Sequence, residues 1–137
     1  MTRAVTFIVP GEPVAKGRPR FSTRGGKTRT YTPTKTAEAE WSIRLYAVAA
    51  FGNQEVFDGP VRVRLVFVLR RPKSVSAKKR PWPSVKPDVD NLAKTVLDAL
   101  SAAVAWIDDS LVCILEVEKM YASLEEEPRT VIHIEEL

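Results

Sequence analysis

The densest chemistry in the sequence lies in Lys86-Pro87-Asp88-Val89-Asp90-Asn91-Leu92-Ala93-Lys94. Asp88 and Asp90 stand two apart where a proline-broken stretch meets an apolar helical period. In an extended backbone, residues i and i+2 project to one side, so both carboxylates can address one point. Two ionised carboxylates that close repel each other unless a cation lies between them or one takes up a proton. Lys94 follows Asp90 by one helical turn, which puts its ammonium on the same face, and Asp98 continues the stripe. A second acidic pair, Asp108-Asp109, comes after the helical segment and before the next strand. If that strand runs back past the helix N-terminus, all of these groups can share one cleft. The chain has one histidine and one cysteine, so the candidate ligands Asp88, Asp90, Asp108 and Asp109 are all oxygen donors. A hard cation, Mg²⁺ with Mn²⁺ as a substitute, suits such a set better than zinc.

Ordinary roles stand beside these. Asp90 is a good helix N-cap. Lys94 and Asp98 can form an exposed i, i+4 pair worth about 0.3–0.5 kcal/mol, although lysine before the acid is the weaker order. Asp108-Asp109 suits a turn. Asp88 has no evident structural task. The nuclease pattern PD…(D/E)xK is not met, because Val117 stands two residues before Lys119. Glu116 and Glu118 read instead as the exposed side of a strand that buries Cys113, Leu115 and Val117.

The elements that must position these groups follow from periodicity. Residues 4–9 are apolar and β-branched and end at Pro10-Gly11, which predicts a buried strand. Residues 10–33 form a long basic loop with a hairpin around Gly25-Gly26. Thr34 offers an N-cap for a helix over 35–51, with Glu38 and Glu40 near its positive end. Its apolar stripe is Ala37, Trp41, Leu45 and Val48. Residues 61–69 alternate as a strand, with Arg62 and Arg64 facing outward. The stretch 70–87 is broken by Pro72, Pro81, Pro83 and Pro87 and should be stiff and extended. A second helix runs over 89–104, and strands over 111–121 and 129–134 flank a solvated turn at Glu125-Glu126-Glu127. The order β-α-β-α-β-β predicts a single small α+β (mixed α/β) domain spanning residues 1–137. About four strands would form its sheet, packed with two helices.

The net charge of +4 over 137 residues conceals a separation. One acid-free run carries Lys16, Arg18, Arg20, Arg24, Lys27 and Arg29. The other carries Arg70, Arg71, Lys73, Lys78, Lys79, Arg80 and Lys86, and the rest of the chain sums to −9. Either run alone reads as a solvated face, and the two together lean toward a polyanion partner. The lone Cys113 excludes an internal disulfide and fits a reducing compartment. The lone His133 argues against a His-rich zinc site or a Ser-His-Asp triad. Apolar runs fall short of the ~18 residues that cross a bilayer, and the N-terminus lacks a signal-peptide layout. A cytoplasmic protein with no membrane partner is expected.

Two motifs, KPDVDNLAKTVLDAL and WIDDSLV, together with PGEPVAKGRPRF near the N-terminus, resemble the RusA family of Holliday-junction resolvases. The likeness is closest to its phage, prophage and bacterial members and covers about residues 5 to 122. The combination D-x-D-N-L-x-K…L-D-A-L…W-x-D-D carries it; a lone D-x-D would not. The resemblance implies essential carboxylates at Asp88, Asp90 and Asp109, with Asp108 close by, and a functional lysine at Lys94. It also implies a Mg²⁺-dependent homodimer that makes paired nicks across a four-way DNA junction. Many relatives place a glycine before the tryptophan, where this chain has Ala102-Ala103-Val104-Ala105. Two other readings compete: a non-catalytic nucleic-acid-binding module, and a duplex or flap endonuclease without junction selectivity.

Overall fold

Strand β4 (Val61–Leu69) is the spine of the molecule, and its sequence VRVRLVFVL dictates why. Val61, Val63, Leu65 and Phe67 point to one face and are buried, each contributing about 1.5–3 kcal/mol. Arg62 and Arg64 point to the other face. β4 pairs antiparallel with β6 (Arg129–Glu136) and parallel with β5 (Val112–Tyr121). β6 pairs antiparallel with β1 (Ala4–Pro10), which gives a four-stranded sheet in the order β1-β6-β4-β5. The described residues are 2–17, 20–22, 24–26, 29–31 and 33–137 of a computed structural model, with only the backbone described at 20–22, 24 and 29–31.

Helices α1 (Thr34–Phe51) and α2 (Val89–Leu100) cover the apolar face of the sheet. Their Ile43, Ala47, Phe51, Leu92, Val96 and Leu100 meet Val5, Phe7, Leu65, Ile132 and Ile134 in one core. The opposite face carries an ion-pair ladder: Arg62 with Glu135 and Glu116, and Arg64 with Glu118. The expected α+β order and four-stranded sheet with two helices are therefore observed. A short hairpin of β2 (Arg20–Ser22) and β3 (Arg29–Tyr31) also stands around Gly25-Gly26.

Several local expectations are corrected. β1 is not fully buried: at the sheet edge it alternates, with Val5, Phe7 and Val9 inward and Thr6 and Ile8 outward. The stripe Trp41-Leu45-Val48 faces solvent, Trp41 being 61% exposed, and α1 buries Thr36, Glu40, Ile43, Ala47 and Phe51 instead. Both faces of α1 are apolar enough to pass for the core face. The inner one wins because small Ala47 lets the helix approach and buried Glu40 is met by the half-buried cations of Lys16 and Arg44. Thr34 is the first helical residue and not the cap, which is Pro33 with no side-chain bond. α2 stops at Leu100, short of residue 104, because Ala102 and Ala103 turn left-handed at φ 58° and 67°. The 70–87 segment is not extended: Arg71 Nη1 donates to the Arg80 carbonyl at 2.6 Å, folding it back on itself.

Candidate active site

The acids are placed by the two ends of α2. Leu92, Ala93, Val96, Ala99 and Leu100 draw the helix onto the sheet, which leaves Asp90 and Lys94 on its exposed side. Asp90 is not the N-cap; it lies in the first turn, and Asp88 holds the cap position in extended backbone without a side-chain cap bond. Neither carboxylate is consumed by capping, so the ordinary explanation for Asp90 falls away. At the far end, fully buried Trp106 donates from its indole nitrogen to Ser101 Oγ at 3.0 Å. That plug fixes the turn from which Asp108 and the 3₁₀ turn Asp109–Leu111 lead into β5.

β5 then runs back beneath α2. Between them opens a cleft of about 410 Å³ lined by Asp90, Lys94, Asp98 and Asp109, with Leu97, Leu115 and Val117 among its apolar lining. This corrects the expectation that Cys113, Leu115 and Val117 are sealed: Cys113 is exposed and Leu115 is 42% exposed. β5 is an edge strand that α2 overhangs without closing. Glu116 and Glu118 do lie on the opposite side, paired with Arg62 and Arg64.

The structure thus brings Asp90 and Asp109 to one cleft with Lys94, while Asp88 and Asp108, close to them in sequence, do not line it. Among the described residues, Asp88, Asp90, Lys94, Asp108 and Asp109 have no ion-pair partner. The Ser110 hydroxyl, then its backbone amide, hold the Asp108 carboxyl below the usual carboxylate range, although neither contact has the geometry of a formed cap. Among the described residues, no three His, Cys, Asp or Glu side chains converge into a metal cluster. The donors nonetheless fit a hard divalent cation in kind: they are carboxylates without a paired cation among the described residues, and no histidine or cysteine is among the described residues that line the cleft.

Lys94 and Asp98 do not pair. Asp98 is taken by Lys16 at 3.1 Å, and Lys16 also holds Glu40 at 2.6 Å. Burial opposes the Lys16 ammonium, but its bonds to Glu40 and Asp98 more than offset this and raise its pKa. Its backbone amide donates to the Asn91 carbonyl at 3.0 Å, and the Gly17 amide donates to Thr36 Oγ1 at 3.0 Å. A Cβ at Gly17 would come within 2.9 Å of Pro33, so only glycine passes there. Lys16, expected to grip phosphate, is thus a node joining α1, α2 and the root of the basic loop.

Of the remaining candidate phosphate contacts, Arg18 and Lys27 and the side chains of Arg20, Arg24 and Arg29 lie outside the described residues. In the second run, Arg71 stacks its guanidinium 4.2 Å from the Tyr121 ring centroid and Arg80 lies 6.0 Å from it. These two arginines hold the loop together. Arg70 lies 3.8 Å from Glu127. Lys73, Lys78, Lys79 and Lys86 are exposed and unpaired among the described residues, next to a 60% exposed Trp82.

One residue escaped sequence reasoning. Lys119, two beyond Val117, reaches from β5 to the segment preceding Asp88 and donates to the Val85 and Pro87 carbonyls. Its sequence neighbours read as an ordinary strand face, and nothing in them signals partners more than thirty residues upstream.

The family model described as "Endodeoxyribonuclease RusA" matches residues 10–135. A protein of Bacillus subtilis (strain 168), described as uncharacterized protein YqaN, is 38% identical over 142 residues, covering 97% of this chain and 96% of its own.

Proposed function

The chain belongs to the RusA endodeoxyribonuclease family, and from that premise we propose that it is a Mg²⁺-dependent endonuclease resolving four-way DNA junctions. The observation that carries this reading is the gathering of Asp90, Lys94, Asp98 and Asp109 in one cleft between α2 and β5. Asp90 and Asp109, with Asp88 beside them, would hold the cation, and Asp108 would steady Asp109. When bound, Mg²⁺ supplies neutralisation of phosphate charge and activation of water at neutral pH.

The chain's own groups do the rest. Lys94, which lines the cleft and is unpaired among the described residues, faces the phosphate and stabilises the charge developing on it. Asp98 is neutralised by Lys16, so it does not compete for that lysine. The apolar floor of Leu115 and Val117 limits water around the reacting group. Lys73, Lys78, Lys79 and Lys86 bind the DNA backbone without reading sequence. One acidic cleft per chain meets only one strand of a junction, which supports a homodimer with two-fold related sites. The outward apolar stripe of α1 offers surface to bury in such a pair. No helix among the described residues is long and apolar enough to cross a membrane, in keeping with action on cytoplasmic DNA.

The test incubates the protein and Asp90→Asn with Mg²⁺ and labelled four-way junction, duplex and single strand. Paired nicks confined to the junction are expected, lost in Asp90→Asn while binding persists. Binding without cleavage by the unaltered protein, in Mg²⁺ or Mn²⁺, would overturn the enzymatic reading. Equal cleavage of duplex would overturn junction selectivity, and an active Asp90→Asn would overturn the site.

A further inference from the structure

Lys119 lies near the end of β5, and its ammonium donates to the carbonyl oxygens of Val85 and Pro87, each at 2.8 Å. It is partly buried, and among the described residues no carboxylate stands within ion-pair distance of it. Removing a lysine from water without a counter-ion is costly unless its protons are hydrogen-bonded, and here two of the three go to backbone oxygens. Both oxygens belong to the segment that leads straight into Asp88. On the other side of Asp88 the chain is fixed as well, because its carbonyl accepts from the Leu92 amide at 3.1 Å. Asp88 is therefore held between a side-chain clamp and the first turn of α2. The strand that carries the clamp also begins just after the Asp109–Leu111 turn. One rigid element thus sets the position of Asp109 at its start and of the Asp88 segment near its end.

We propose that Lys119 is a positioning residue: by clamping Val85 and Pro87 to β5, it holds Asp88 in place beside Asp90 and so sets the affinity of the site for a divalent cation. This rests on the reading of Asp88, Asp90 and Asp109 as metal ligands. Simple electrostatics and positioning predict opposite signs. Removing a nearby positive charge would tighten cation binding, whereas releasing the Asp88 segment weakens it.

The experiment measures Mn²⁺ binding to the full chain without DNA, by electron paramagnetic resonance or calorimetry, for the unaltered protein, Lys119→Met, Lys119→Arg and Asp88→Asn. The Mg²⁺ concentration giving half-maximal cleavage is read in parallel. Lys119→Met is expected to weaken Mn²⁺ binding and raise the half-maximal Mg²⁺ concentration by about tenfold, the usual effect of losing a group that orients a ligand. Junction binding in EDTA should stay unchanged. Lys119→Arg, which keeps two donors, should restore most of the loss. If Lys119→Met does not fold, Lys119→Gln takes its place, and an intermediate loss of Mn²⁺ affinity is expected. Unchanged or tighter Mn²⁺ binding in the folded Lys119 variants, with weakened binding in Asp88→Asn, would overturn the clamp alone. Unchanged binding in Asp88→Asn would overturn the ligand reading and the clamp with it.

Discussion

Lys94 and Lys16 both lie close to Asp98, yet only Lys16 binds it, and Lys94 keeps its charge for the cleft. Lys94→Met should therefore lower kcat by about 10²–10³-fold, the cost of removing one preorganised donor, and leave the junction Kd nearly unchanged. Single-turnover cleavage at saturating DNA and a binding titration separate the two effects. Lys16→Met should instead lower unfolding stability by about 1–2 kcal/mol in urea, because Glu40 and Asp98 lose their shared donor. Ala102 and Ala103 occupy the left-handed region that favours glycine, in the stretch where the family resemblance implies a glycine. Ala103→Gly should raise stability by about 0.5–1 kcal/mol, since relief of left-handed strain outweighs the entropy gained by the unfolded chain. The departure at these alanines was visible in the sequence, and so were the acids and Lys94. The partner of Lys16 was not, because a charged residue in a basic run looks the same whether it meets phosphate or a buried glutamate.

Among the elements, the turn between β5 and β6 has a contribution to stability that acid should remove. The Ser123 amide donates to Glu126 Oε1 at 2.9 Å and Arg129 Nη2 to Oε2 at 2.9 Å. The Ser123 amide bond, followed by the Arg129 contact, holds the Glu126 carboxyl at about 2 against an ordinary 4.5. A depressed carboxylate stabilises the fold fully above its unfolded value and loses that contribution as pH falls toward the folded one. The stability advantage over Glu126→Gln should thus be constant above about pH 5 and shrink steadily between pH 4.5 and 2, followed by urea melts across that range. Strand identities were legible because alternation has one solution on a half-buried sheet, as in β4. The facing of α1 was not, because two of its stripes satisfy the helical period. Deciding between them required knowing that Lys16 and Arg44 would neutralise Glu40 from inside.

Over the whole molecule, the charge separation survives but is redistributed. The arginines at 71 and 80 stack on Tyr121, and the lysines between and after them remain outward. Replacing both Lys78 and Lys79 with alanine should lower the slope of log affinity against log salt by about 2, whereas Lys16→Met should leave that slope unchanged. Fluorescence anisotropy with labelled junction from low to moderate salt reads this directly. The β-α-β-α-β-β order was legible from the sequence, but strand order was not, because periodicity says nothing about neighbours. Here topology adds a constraint on timing. β6, built from residues 129–136, is the last strand in chain order and yet lies inside the sheet, bonded to β1 on one side and β4 on the other. While a ribosome is still making the first 128 residues, β1 has no strand to join, and the surface that seats both helices is incomplete. Such long-range pairing makes folding wait. The cleft between α2 and β5 rests on β4, which β6 must join on its other side, so that cleft is expected to reach its final shape only once residue 136 has been made.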